Sequence, residues 1–308
     1  MDQKEFIDRL NFCFKTNKKD NSLLSHENKF LRAQLLLNNI SSISKILSLF
    51  DFKDKILFED NLPFIVIEDI KLLLNHKFYL KHTGKKFLSS SNESINFLNH
   101  FKINPQNIID LGACWGEFSL FLSKQFPKSK IYSIEGSEKN FNVLKINLDH
   151  NLKFSNNIEP YNMIISNKDG FEEILDSVST MNTVKRLKNK QEGNYNNIKA
   201  STINSFISKL SLEVVDFLKI DIEGSEQSLL TDLKKLFFKS IQIELINYNS
   251  IESNINFVKE LSPIYNFYNP ANWEQLTFDY LQNLVVKTLK TNSKIDIFLI
   301  NKELTLQL

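Results

Sequence analysis

NIIDLGACWG, residues 107–116, is a short apolar run that ends in glycine. It gives way to GEFSLFLSKQFP (116–127), whose apolar residues return at helical spacing until Pro127 stops them. The pattern repeats at once: KIYSIEG (130–136) is a second apolar run and SEKNFNVLKINLDHN (137–151) a second amphipathic stretch. Further along, VVDFLKIDIEG (214–224) and SIQIELIN (240–247) read as two more buried strands, with the helical SEQSLLTDLKKLF (225–237) between them. SKIDIFLINKEL (293–304) reads as a last strand, expected to run antiparallel. Strand, helix, strand, helix predicts an α/β fold, a mostly parallel sheet whose crossover helices cover both faces.

Two stretches nearly coincide, SIEGSE at 133–138 and DIEGSE at 221–226, but their flanks do not match, so a shared corner explains them better than duplication. At each, Gly136 or Gly224 is expected to permit the turn and Ser137 or Ser225 to cap the helix. Glu138 or Glu226 suits the helix's positive end. That leaves the carboxylates Glu135, Asp221 and Glu223 unexplained by folding alone. They point to a ligand cleft, because open α/β sheets bind ligands at the carboxyl ends of their strands.

The remaining sequence sets limits. The 308 residues are 42% hydrophobic, enough to bury a real core. With 38 Lys and Arg against 36 Asp and Glu, the net charge of +2 gives no strong attraction to nucleic acid or an anionic membrane surface. Two cysteines, Cys13 and Cys114, make no disulfide framework, and a reducing cytoplasm is the expected location. The N-terminus lacks a signal-peptide pattern, and apolar runs such as LPFIVI (62–67) are far short of the roughly 18 residues of a membrane span. LLSHENKFLRAQLLLNNISSISKILSLF (23–50) has helical spacing. The expected organisation is a mainly helical accessory region over 1–90, able to support a homo-oligomer, and a catalytic domain over 91–308.

The first corner narrows the cofactor. A dinucleotide site would open on the first glycine of G-x-G-x-x-G, and here Asp110 stands in that place. A carboxylate repels a pyrophosphate but suits a cofactor with a cationic end and no phosphate. S-adenosylmethionine has that character. Asp110, Gly112, Ala113 and Gly116 are then the expected cofactor-binding residues of the first corner. Glu135, ending the second strand, would accept hydrogen bonds from both ribose hydroxyls. Asn162 and Asp221 complete the expected cofactor set.

On these residues the chain resembles the FkbM family of S-adenosylmethionine-dependent methyltransferases. The resemblance runs from about Ile95 to Tyr268 through IIDLGACWGEFSLFLSKQFP, IYSIEGSEKNFNVLKINLDHN, IISNKDG, STINSF and above all VDFLKIDIEGSEQSLL. It implies the seven-stranded class I methyltransferase fold and O-methylation, often of sugars or polyketide hydroxyls. Two departures stand out: GSE follows Glu135 where the family usually has a Pro-containing turn, and Asn204 stands where an Asp is common. Both bear on the acceptor more than on the fold.

Methyl transfer to an alcohol rests mainly on orientation, which supplies up to roughly 7–11 kcal/mol, and a general base adds on the order of 10²–10⁴-fold. Asp221 is the first candidate base and Glu223 the second. Glu244, similar to the family's acidic residue at the fifth strand end, is expected to face the acceptor. Asp221, Glu223 and Glu244 are also an oxygen-rich set of the kind magnesium takes, although no metal is expected here. The basic stretch 182–199, with Lys185 and Arg186, would suit a glycan or nucleotide-linked sugar if it covers the cleft. Rival readings are an NAD-dependent oxidoreductase, disfavoured by Asp110, and a non-catalytic cofactor-binding scaffold. A nucleic-acid methyltransferase would carry an Asn/Asp-Pro-Pro-Tyr/Phe motif where this chain has DIEGSE.

Overall fold

The computed structural model describes residues 56–60, 62–73, 85–175, 195–246, 249–291 and 294–305. The helical stretch expected over 23–50 lies outside them. So do Lys185 and Arg186.

Eight strands form the main sheet. β4 (Asn107–Leu111), β5 (Lys130–Glu135), β6 (Ile158–Asn162), β10 (Val215–Ile220), β11 (Phe238–Ile246), β12 (Tyr265–Tyr268), β13 (Gln275–Leu276) and β14 (Lys294–Asn301) stand in the order β13-β12-β14-β11-β10-β4-β5-β6. The run β6 to β11 is parallel and β14 enters antiparallel beside β11, as the sequence pattern led one to expect. The eighth strand, one more than the expected seven, is the two-residue β13 at the edge. A second sheet holds β7 (Ile164–Ile165), β8 (Gly170–Leu175) and β9 (Tyr195–Ser201), ordered β7-β9-β8. Residues 195–199, expected to be loop, are therefore strand.

Before residue 85 the described residues of the N-terminal region are strands and turns. β1 (Ile56–Glu59), β2 (Leu62–Ile67) and β3 (Ile70–Leu73) form an antiparallel meander. Among the helices, α1 (Lys85–His100) contains the boundary expected at residue 90; α2 (Glu117–Gln125) and α3 (Glu138–Asp149) follow. The meander docks on α3, where the amides of Leu73 and Lys71 donate to Asn147 Oδ1 (2.7 Å) and to Asn151 Oδ1 just beyond the helix (2.8 Å). α4 (Ile203–Lys209), α5 (Leu230–Lys235), α6 (Ile251–Leu261) and α7 (Phe278–Thr291) complete the layers.

Strand alternation sorts the sheet into two unlike faces, because successive side chains point to opposite sides. One face carries Ile109, Leu111, Ile134, Leu218, Ile220, Ile241, Ile243 and Leu299, apolar along its length and packed under α4 to α7. The other packs under α1 to α3; across β5, β4 and β10 it is apolar only at its amino end, with Ile131, Ile108 and Phe217, while β14 adds Ile300 and Phe298. Toward the carboxyl ends it turns polar. In register across four strands stand Ser133, Asp110, Lys219 and Gln242, all buried. Two residues further along come Glu135, Asp221 and Glu244, with Asp296 paired to Glu244.

Candidate active site

The β4–α2 corner is built against β10. Gly112 has φ +80°, and a Cβ there would lie 1.8 Å from the backbone oxygen of Asp221, so only glycine lets the two chains meet. The amides of Gly112 and Ala113 both donate to the carbonyl of Ile134 (2.9 and 3.0 Å), and Asp221 N donates to Leu111 O (3.0 Å). Cys114 takes the left-handed conformation at φ 50°, and Gly116 begins α2 at φ 81°. Burial, then the carboxylates of Glu117 and Glu135, push the Cys114 thiol well up, so it stays protonated and packs rather than attacks.

Glu135 ties that corner to its own. Its Oε2 accepts from Cys114 N (2.9 Å) and its Oε1 from Ser137 N (2.7 Å). Burial raises its carboxyl to about 7 against the lowering effect of those amides. Asn162, its register partner on β6, donates to the carbonyls of Glu135 (2.9 Å) and Gly136 (3.3 Å).

The two EGSE corners are built differently. Ser137 caps α3 by accepting from Asn140 N, whereas Ser225 makes no side-chain cap. Gly224 needs its φ of +95°, but Gly136 has no positive φ. Gly136 is needed for space: a Cβ there would come 2.4 Å from Ile164 Cγ2 and 2.9 Å from Ile174 Cδ1. Glu138 is exposed, while Glu226 is 1% exposed and folds back to accept from Gly224 N (2.9 Å). Burial pushes Glu226 up to about 7.

Asp110 lies wholly enclosed under the corner. Its Oδ2 accepts from Ser119 Oγ (2.6 Å), which also meets Ser133 Oγ (2.7 Å), and its Oδ1 faces Lys219 Nζ at 3.6 Å. Burial raises the Asp110 carboxyl; Lys219 and Ser119 offset part of that.

Asp221, Glu223 and Glu244 come together, each offering a carboxylate oxygen within 4.8 Å of the others. Glu223 adopts φ 51° to join them. Two like charges about 4 Å apart repel by about 4 kcal/mol at an effective dielectric of about 20, so three ionised groups need compensation. Lysines provide it: Lys219 Nζ is 3.2 Å from Asp221 Oδ2, and Lys294 Nζ is 2.5 Å from Glu244 Oε1. Burial opposes the Asp221 charge, yet Lys219 and Lys294 outweigh it and hold its carboxyl below the usual range. Glu244 goes the other way, pushed up to about 8 by burial and then by Asp221, to which it hydrogen-bonds. Lys219 and Lys294, together with the proton that Glu244 keeps up to about pH 8, offset the charge crowded at this end of the sheet.

Sequence reasoning placed Asp110, Gly112, Ala113, Gly116, Glu135, Asn162, Asp221, Glu223 and Glu244 at these strand ends, and the structure brings them to one end of the sheet. It missed Lys219 and Lys294. Their signal was the parity of the strands: in VDFLKIDIE, Lys219, Asp221 and Glu223 share one side while Leu218, Ile220 and Ile222 share the other.

Residues 106–280 match the family described as "Methyltransferase FkbM domain". No curated protein matches the chain. Among solved structures, the chain is similar to methyltransferase FkbM from Methylobacillus flagellatus KT at 19% identity and a TM-score of 0.37, over 56% of this chain and 42% of that one. The match thus spans less than half the length of that protein. A SAM-dependent methyltransferase from Aquifex aeolicus is similar at 16% identity and a TM-score of 0.32, over 54% of this chain and 70% of that one. The family match spans more than half of the 308 residues and contains every strand-end carboxylate described above except Asp296, and by it the chain belongs to the FkbM methyltransferase family.

Proposed function

We propose that the chain is an S-adenosylmethionine-dependent O-methyltransferase acting on a hydroxyl of a sugar, a glycan or another small-molecule alcohol. The observation that carries the reading is the row of acids, Asp110, Glu135, Asp221 and Glu244, at the carboxyl ends of adjacent strands. That row suits a cationic, phosphate-free cofactor and repels a pyrophosphate. When bound, the cofactor supplies an electrophilic methyl group on a sulfonium.

The chain's own residues do the rest. Gly112, Ala113 and Gly116 shape the corner that admits the amino-acid portion, and Glu135, braced by Asn162, accepts from ribose hydroxyls with its remaining lone pairs. An acceptor oxygen that gains a methyl group must lose its proton. Asp221 and Glu223 are the bases proposed from sequence; Glu244, whose raised carboxyl keeps its proton at neutral pH, hydrogen-bonds to Asp221 and holds that carboxylate in place to accept. The basic stretch containing Lys185 and Arg186 is proposed to meet an acidic or nucleotide-linked acceptor.

Calorimetric titration tests the cofactor. S-adenosylhomocysteine is expected to bind and NAD not to, with the affinity of Asp110→Asn reduced by on the order of tenfold through the loss of a negative charge beneath the corner. Binding of NAD in preference, or of neither compound, would overturn the reading.

A further inference from the structure

Lys219 is a lysine buried to 5% exposure in the middle of a sheet, which is tolerable only for a paired charge. It stands directly opposite Asp110 on β4 and opposite Gln242 on β11, and Gln242 is held by Ser94 of α1 and donates to Asp296 of β14 (3.0 Å). Its ammonium lies 3.6 Å from Asp110 and 3.2 Å from Asp221, and 5.0 Å from the centre of the Phe118 ring. One cation therefore spans the two strands whose ends meet at Gly112, below the point where the Asp221 carbonyl fills the space of a Cβ.

We propose that Lys219 is a positioning residue for the cofactor site: it ties the Gly112 corner to the end of β10 and holds Asp110 and Asp221 as a fixed pair of carboxylates beneath the ligand. The inference rests on the cofactor reading above. The charge count supports it. Besides its two partners, Lys219 feels Glu117 of α2 and Cys114 of the corner on one side, and Glu244 and Asp296 of β11 and β14 on the other. Asp110 is faced further by Ser119, Ser133, Glu117 and Glu135. Lys219 is the cation inside this group, with Lys294 at its outer edge on Glu244. Burial disfavours its charge, but Asp221 and Asp110 hold it protonated above the usual lysine range. Removing that charge leaves Asp110 and Asp221 to protonate at higher pH, and a protonated pair neither attracts a ligand's ammonium nor holds the corner.

The test is the affinity for S-adenosylhomocysteine, by calorimetry, of the full chain, Lys219→Met, Asp110→Asn and the double variant, each at about pH 6, 7 and 8.5. Lys219→Met is expected to weaken binding on the order of tenfold at about pH 6 and much less at about pH 8.5, because without the ammonium both carboxylates take up protons more readily. In the double variant Lys219→Met should add less to the loss from Asp110→Asn than it causes alone, because of its two partners only Asp221 is left to act on. The double variant removes one buried charge of each sign, which the fold tolerates better than Lys219→Met alone, so its pH dependence against Asp110→Asn can be read even if Lys219→Met does not fold. Equal losses at all three pH values, or additive losses in the double variant, would overturn the role of Lys219 and leave the cofactor reading standing. No binding by the unaltered chain would remove both.

Discussion

At Gly112 the chain has no room for one more carbon. A Cβ would lie 1.8 Å from a backbone oxygen, with φ at +80°, so Gly112→Ala carries both an overpacking cost of about 1–3 kcal/mol and a left-handed backbone cost of about 1–2 kcal/mol. Gly170 is the natural control, since its φ is +128° but nothing lies within 4 Å. Urea denaturation is expected to show Gly112→Ala clearly less stable than Gly170→Ala, and only the former should lose S-adenosylhomocysteine binding. Glu244 makes a second residue-scale prediction. Its carboxyl is pushed up to about 8, so a carboxyl-carbon NMR titration should show a signal moving near that pH and missing from Glu244→Gln. Finding no such signal would mean that Glu244 is ionised and that its proton does not help to relieve the crowding of these carboxylates. The strand-end acids were legible in the sequence because a carboxylate beside a corner glycine has no role in a core. Lys219 was not, because a single cation in an apolar strand looks like an edge residue until its cross-strand neighbour is known to be Asp110.

Among elements, the two EGSE corners show how far local pattern reaches. Both were recognisable as strand-to-helix junctions, but the tertiary neighbour decided what each residue does. Gly224 serves backbone conformation, whereas Gly136 makes space for Ile164 and Ile174 of the second sheet to pack on the corner after Glu135. Residues 176–194, which include Lys185 and Arg186, connect β8 to β9 of that sheet, so the fit at Gly136 anchors the root of the basic stretch to the ribose end of the proposed site. Gly136→Ala is expected to cost about 1–3 kcal/mol through overpacking. Adding Ile164→Ala removes the Cγ2 that the new Cβ would strike, so the double variant should melt above Gly136→Ala alone. If Ile164→Ala lowers the melting temperature equally in both backgrounds, the two residues are not coupled and the packing argument fails. The meander of β1 to β3 shows the same limit: an apolar run such as LPFIVI is legible in the sequence, but its docking rests on Asn147 and Asn151, 74 and 80 positions from their partners, which no local window contains.

Across the whole molecule, the acids gathered on one face set the pH dependence of stability. Burial pushes Glu117, Glu135 and Glu226 up to about 7 and Glu244 up to about 8, against 4.5 for an unperturbed glutamate. Between those values the folded chain binds more protons than the unfolded one, so stability falls as pH rises. The contribution is present in full below about pH 4.5 and is lost by about pH 8. Asp221 has the opposite sign: its carboxyl is lowered, so its contribution is present above its unfolded value of 3.8 and disappears as pH falls through its folded one. The two trends place maximum stability at about pH 4, with a decline toward about pH 8.5 that Glu244→Gln should make shallower at its upper end. Scanning calorimetry across that range measures it. Adding S-adenosylhomocysteine should raise the melting temperature more at about pH 8.5 than at about pH 5.5, because a ligand ammonium favours the ionised carboxylates that weaken the empty fold. A larger rise at the lower pH would place the ammonium away from the acid row.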